Sequence, residues 1–381
     1  MKQTALFLFQ FLLLHFSFGQ SQDSWVRFYD TASEKSGYKD LKGNIKIPAT
    51  FDGLTKADTF YHIIAVNEMA GDTYKSYYLL KDGRKVGQDS VYVFDFMFDC
   101  ESEGKIIFYD RKKDRVGFLN QDGVAIIPAV YNYVSPFRNG LAIAHRNAKR
   151  KCWDKGGDTT NCEHLGWEGG ESILINDKNE ILVDSFAIDL SSIDWYSRKI
   201  NDPSVDTSLY ISIKGRGNTT YSFVDYDKEF KKWFYNTFLS TVRSKNKALS
   251  KLLFDEVTYW SGKKGWTSIG RTEFLKTFPA VLTAQRFEAG KLKEISLSQD
   301  MFNDLIFDKS IYKKYLNACG AHNKDQYPLY NVMLTYYKKR LKPLTAIESG
   351  FLRNYEIDYQ EHFEFLRTEN GYKLLSVSLK K

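Results

Sequence analysis

Apolar residues in the first half of the chain come in short bursts. Ile63-Ile64-Ala65-Val66, Tyr77-Tyr78-Leu79-Leu80, Val116-Gly117-Phe118-Leu119 and Leu141-Ala142-Ile143-Ala144 are separated by segments rich in Asp, Asn, Lys and Gly. Bursts of this length, bounded by turn formers, predict strands joined by tight turns. The period changes after Asp225. Phe230, Trp233, Phe234, Phe238 and Val242 then recur at helical spacing, behind an acidic start at Asp225, Asp227 and Glu229. That stripe predicts a helix with one buried face, its N-terminus favoured by negative charge. A third kind of segment opens the chain. Met1-Lys2 precedes a nearly continuous apolar run, Ala5 to Phe18, and small residues stand at Ser17 and Gly19. This pattern predicts a secretory signal peptide at 1–19, too short to span a bilayer. The mature protein is then expected outside the cytoplasm, periplasmic or extracellular, and not transmembrane.

The bursts repeat. Gly37-Tyr38-Lys39-Asp40 leads to Gly43 and Ile47-Pro48-Ala49, and Gly117-Phe118-Leu119-Asn120 leads to Gly123 and Ile127-Pro128-Ala129. A second copy runs from Ser76 to Val86, and a weaker fourth from Ser172 to Val183. The turn glycines 43, 83 and 123 are 40 residues apart. Each copy reads as a hairpin, and only stacked copies bury the apolar faces of such units. Further aromatics follow at Phe51, Tyr131, Phe60 and Phe137, then Gly140-Leu141-Ala142. These motifs resemble the WG-repeat family of bacterial β-rich proteins over residues 25–190, with Tyr or Phe mostly in place of its tryptophan. The resemblance implies binding or interaction and carries no catalytic set with it.

Residues 191–205 read as a connector and 206–381 as an α+β domain. Strand-like Leu209 to Ile213 precedes the helix from Asp225. Further helices are expected at Lys247–Phe254, Thr272–Leu282 and Lys309–Ala318. Strands are expected at Tyr330–Tyr337, Tyr355–Arg367 and Tyr372–Leu379, the last two joined at Asn370-Gly371. The order over 205–381 is similar to the cone-shaped fold of nuclear transport factor two, in which a curved sheet wraps a helix; such a cone implies a mouth that binds a ligand, hosts a reaction or is filled. The expected fold class is therefore mixed, an all-β hairpin repeat array followed by a curved antiparallel sheet with helices.

Charge divides between the same halves. Residues 1–200 carry 25 basic and 27 acidic groups, and 201–381 carry 29 and 20, so the net +7 sits in the second half. Its densest runs are Lys338-Lys339-Arg340 with Lys342, Lys313-Lys314 and Lys263-Lys264. They read as a solvated face or as a patch for an anionic surface. No nucleic-acid motif is present and no nucleic-acid partner is expected. Export makes Cys152 and Cys162, ten positions apart, a disulfide pair. The alternative is a metal cluster with Glu163 and His164, which lacks a C-x-x-C pair. Cys100 and Cys319 are left open between buried thiols and a bridge. Neither a cofactor nor a catalytic residue is assigned. The nearest titratable cluster is Glu356, Asp358, Glu361, His362 and Glu364, where alternation pairs Glu356 with Asp358 and His362 with Glu364. The leading expectation is a non-enzymatic protein whose repeat surface meets a protein or glycan. The rival is a small-ligand receptor or enzyme working from the second domain.

Overall fold

A computed structural model describes residues 23–154, 159–160, 162–244, 247–262, 264–303, 305–339 and 354–379. The signal peptide expected at 1–19 lies outside them, as do Lys263, Arg340 and Lys342 of the basic runs. The fold is mostly β, with several antiparallel sheets and few helices.

Four three-stranded motifs follow one another. They are Trp25–Asp30 with Lys35–Asp40 and Ile45–Phe51; Ile63–Ala70 with Thr73–Leu80 and Lys85–Val86; Lys105–Asp110 with Arg115–Asn120 and Ala125–Tyr131; and Leu141–Arg146 with Glu171–Asn176 and Ile181–Val183. The first two join edge to edge where Phe51 meets Glu68. The hairpin read from the sequence is the second and third strand of each motif. Ile63–Val66 and Leu141–Ala144, read there as the end of one copy, begin the next motif.

Local chemistry fixes the repeated turn. The Asn120 side-chain oxygen accepts the N–H groups of Asp122 at 3.0 Å and Val124 at 2.9 Å. Asp40 and Asn176 do the same in their motifs. Leu80 has no such oxygen, and Asp82 takes the Arg84 N–H instead, at 2.9 Å. The glycine before the aromatic is set by close approach: a Cβ on Gly117 would lie 2.3 Å from the Ile127 carbonyl oxygen. Gly37 meets the same strand position of its own motif, at 2.6 Å from the Ile47 oxygen.

Alternation divides each strand between two neighbours. Ile64, Val66, Tyr77 and Leu79 pack toward the first motif with Tyr38, Phe51 and Phe60. Ile63, Ala65, Tyr78 and Leu80 pack toward the third with Ile106 and Leu119. Ile107, Phe118 and Ile127 meet Ala142, Ala144, Ile173 and Ile175 of the fourth. Leu141, Leu174 and Val183 in turn cover Ile193, Trp195, Ile213 and Phe223. The stretch expected as a connector therefore contains a strand, Ile193–Ile200, which joins Tyr210–Lys214 and Thr220–Asp225 in a sheet of its own. Its Ile193 and Trp195 are buried against the fourth motif, which is why it is not a loop.

Asp225 caps the helix Tyr226–Trp233 by accepting the N–H groups of Asp227 and Lys228. A π turn, Phe234–Phe238, and a short helix, Leu239–Arg243, continue it. The apolar stripe lies on a six-stranded sheet, with Phe230 stacked on Tyr330 at 4.2 Å between ring centroids. The strand order is Trp266–Gly270, Leu253–Trp260, Gly371–Ser378, Tyr355–Thr368, Leu329–Lys339, Lys293–Asp300. Only Leu253–Trp260 and Gly371–Ser378 pair in parallel. The three terminal strands stand where the sequence placed them. The helix expected at Lys247–Phe254 is a 3-10 turn, Lys247–Leu252, because Leu253 and Val257 instead enter the sheet. The next two expected helices shorten to Arg271–Thr277 and Lys309–Tyr312.

A hairpin between Leu316 and His322 reaches back from the six-stranded sheet to the early motifs. Its turn repeats the motif chemistry, with the Asn317 oxygen accepting from Cys319 and Ala321. Thr59 donates its N–H to the Ala318 carbonyl at 3.0 Å, and Cys319 is bonded to Cys100. Arg138 pairs with Asp325 at 2.6 Å. Arg367 lies between Glu229 at 2.9 Å and Asp194 at 3.1 Å, with the Tyr226 ring beneath it.

Removing Arg367 leaves two partly buried carboxylates without their cation, so Arg367→Met is expected to cost about 3–5 kcal/mol in urea unfolding. An unchanged midpoint would show the network to be idle. The Cys100–Cys319 link closes a separation of 219 residues and Cys152–Cys162 one of 10. Chain-entropy arguments give roughly 5 against roughly 3 kcal/mol. Cys100→Ser is therefore expected to lower stability more than Cys152→Ser, and the reverse order in denaturant titrations would refute this.

Candidate functional site

Three places carry chemistry or exposure that packing does not absorb. The first is the insert in the fourth motif. Where the other motifs turn tightly, the chain leaves after Arg146 and returns at Glu171. It builds a second hairpin, Lys149–Cys152 against Leu165–Glu168, with Cys152 bonded to Cys162. With the two sulfurs bonded to each other, Cys152 and Cys162 carry no free thiol. Asp154 sits beside them, accepts the N–H groups of Glu163 and His164, and meets His164 Nδ1 at 2.5 Å. This carboxylate holds the His164 imidazole above its usual pKa. Cations cover the aromatics of the hairpin: the Arg150 guanidinium lies 3.9 Å from the Trp167 ring centre, and Lys151 lies 4.4 Å from Trp153. Arg150 is held in turn by Asp114 at 2.7 Å.

The second place is the hairpin Val93–Phe94 with Met97–Phe98, between the second and third motifs. Its two-residue turn, Asp95-Phe96, has φ of +47° and +58°. Such a turn favours Asn and Gly, and a bulky residue there is strained by about 1–2 kcal/mol. Phe96 is 84% exposed and Phe94 65%, with Val93 and Met97 also exposed. Only Phe98 of this hairpin is buried. Nothing in the residues marks this site beyond an aromatic run, because Phe94 and Phe96 look like any core aromatics.

The third place is the face of the six-stranded sheet turned away from the helix. His362 and Glu364 share this face, as alternation required, but they do not meet each other as an acid–base pair. Asn331 donates its amide N–H to His362 Nδ1 at 2.9 Å and to Asp300 at 3.3 Å. Ser376 donates to Glu364. Burial pushes the His362 imidazole down and the Glu364 carboxyl up. Glu361 points to the opposite face, buried, where it pairs with Arg286 at 2.6 Å. Glu356 and Asp358 lie together against Lys338, at 3.5 and 3.6 Å. Thus alternation correctly grouped the acidic residues, while it missed Asn331, Ser376 and Asp300 around His362. Part of the signal was available: Ser296, Ser298 and Asp300 recur at every second position along Lys293–Asp300.

The described clefts are small. One of about 350 Å³ is lined by Ser192, Asp227, Lys231, Gln299 and Tyr330, where the Tyr330 hydroxyl donates to Asp227 at 2.6 Å. No described helix is long and apolar enough to cross a membrane.

A family model for the WG containing repeat matches residues 117–149. The match begins at the close-packed Gly117 and runs through the third motif into the first strand of the fourth. No curated protein and no solved structure matches the chain.

The Glu364 shift has a sign that can be tested. A carboxyl raised above its unfolded value favours the native state while protonated, and that advantage is lost as pH rises through the unfolded value near 4.5 to the higher folded one. Glu364→Gln keeps an acceptor for Ser376 without the charge. Its stability relative to the parent is therefore expected to increase between pH 4 and pH 7.5, read from thermal midpoints; a difference that is flat with pH would contradict the assignment.

Proposed function

We propose that this is an exported, non-enzymatic binding protein with two domains: an N-terminal array of WG-like motifs, and a C-terminal α+β domain that anchors it. The exposed, strained tip of the Val93–Met97 hairpin supports this reading best. Apolar groups that a fold leaves in water, on a turn held against its preference, suit contact with another surface. An aromatic tip projecting from a rigid array fits a protein partner, since aromatic residues dominate the energetics of such interfaces. The cation-covered Trp153 and Trp167 extend the same kind of surface to the fourth motif. Two disulfides are compatible with an oxidising compartment. The basic residues of the second half support an anionic partner less well, because Lys338 and Lys314 are already paired with carboxylates. Against enzymatic work stands the arrangement at His362, whose Nδ1 accepts from an amide and touches no carboxylate that would orient it as a base.

Benzoylphenylalanine placed at position 96 is expected to give one discrete photo-crosslinked adduct in the cells that make the protein. The same probe at Tyr29, also exposed (58%) and in the first motif, is expected to give none. Phe94→Ser is expected to abolish the adduct. Equal labelling at both positions, or none at 96, would sink the reading.

A further inference from the structure

The face of the six-stranded sheet that carries His362 has no role in the reading above. Its two ends differ. At one end Leu329, Leu366 and Leu375 are covered by Phe302, Phe307 and Tyr312 from the segment before the Leu316–His322 hairpin. Beyond that cover the face becomes polar on every strand. The register places Ser268 opposite Thr258, Thr258 beside Ser376, Ser376 opposite Glu364, Glu364 opposite Asn331, and Asn331 opposite Ser298. This is one unbroken polar row across all six strands.

Such a row is costly where it is shielded from water, and here part of it is. Thr258 and Ser376 are each 2% exposed and Asn331 is 8% exposed. Asn331 spends its amide N–H on His362 and Asp300, and its buried Oδ1 has no hydrogen-bond partner; neither does the buried hydroxyl of Ser296. A buried polar atom without a partner is destabilising, so two on one face call for a ligand or water to meet them.

The next row supplies a surface of a different kind. Trp266 pairs with Trp260, and their rings meet edge to face at 5.6 Å between centroids. Trp260 follows Tyr259, the partner of Val377, and so lies beside Ser378, which stands opposite His362. Strands are spaced about 4.8 Å apart, so roughly 10 Å separates the tryptophan edge from His362. That is the span of one or two sugar rings. A tryptophan 42% exposed offers a flat apolar face to the C–H side of a pyranose, and the amide, hydroxyl and carboxyl groups behind it match its hydroxyls.

Charge narrows the class. The Asp300 carboxylate already accepts from Asn331. Burial favours neutral forms of both His362 and Glu364. Among the described residues, the lysine of the nearest charged cluster, Lys338, is engaged by Glu356 and Asp358.

We propose that this face is a binding site for a neutral oligosaccharide, stacked on Trp260 and Trp266 and hydrogen-bonded by Asn331, His362, Glu364 and Ser296. The proposal is independent of the partner at the Phe96 tip.

The test is calorimetric titration of the full oxidised chain with three neutral trimers, maltotriose, cellotriose and chitotriose, and with anionic trigalacturonate. At least one neutral trimer is expected to bind, and trigalacturonate is not. Trp260→Ala, at an exposed position that should leave the unfolding midpoint in place, is expected to weaken binding about tenfold or more. His362 ring resonances, assigned with His362→Gln, are expected to shift on titration with the bound trimer, whereas those of the exposed His164 are not. The proposal is overturned if no neutral trimer binds, if trigalacturonate alone binds, or if Trp260→Ala binds as tightly as the parent.

Discussion

The organising constraint is that the sheets of the first half are apolar on both faces. A three-stranded sheet with Ile64 on one side and Ile63 on the other is not stable alone, and it is not satisfied by one neighbour either. Each motif must be sandwiched. This explains why the cores fall between motifs rather than within them, and why the first two strands of the second and third motifs each contribute to two cores at once. It also makes closure of the stack the critical problem. The last sheet, headed by Ile193–Ile200, covers the fourth motif with Trp195 and Phe223 and turns Asp194 outward to Arg367. Arg367 binds helix and sheet of the second half through Glu229, so the end of the stack is held by charge and a shared cation rather than by another apolar face.

Much of this was legible in the residues, and the failures have physical causes. The strands, the 40-residue spacing and the turn residues were readable because they depend on local chemistry: an Asx oxygen at the turn, a glycine where Ile127 passes close. The motif phase was not. A strand buried on both faces has no polar side to reveal which neighbour it belongs to, so Ile63–Val66 looked like the end of one copy and proved to start the next. The missed strands at Ile193–Ile200, Leu253–Trp260 and Lys293–Asp300 share another cause. Each has a pairing partner distant in sequence, Thr220–Asp225, Gly371–Ser378 and Leu329–Lys339 in turn, and a strand without a visible partner reads as a connector or a weak helix. Trp266–Gly270, the hairpin neighbour of Leu253–Trp260, was missed with it. The Phe230 stripe, by contrast, is a helix by period alone and needed no partner to be seen.

The candidate sites show the same division. Alternation along Tyr355–Thr368 put His362 with Glu364 on one face, but a site is made by several strands, and Asn331, Ser376 and Asp300 come from three others. The Phe96 tip was hidden because composition cannot tell an aromatic in the core from one on a two-residue turn. Only the backbone conformation separates them.

The two disulfides are nested: Cys152–Cys162 lies wholly inside the segment bounded by Cys100 and Cys319. Read from the N-terminus, the sulfurs arise in an order in which the first to appear must wait for the last. Pairing each cysteine with the next one made would join Cys100 to Cys152, which is not the native pattern. The covalent ring closed by Cys319 holds the third and fourth motifs, the closing sheet and the helix. A single backbone cut anywhere in that ring therefore leaves one covalently connected molecule, and both ends of the chain hang outside it.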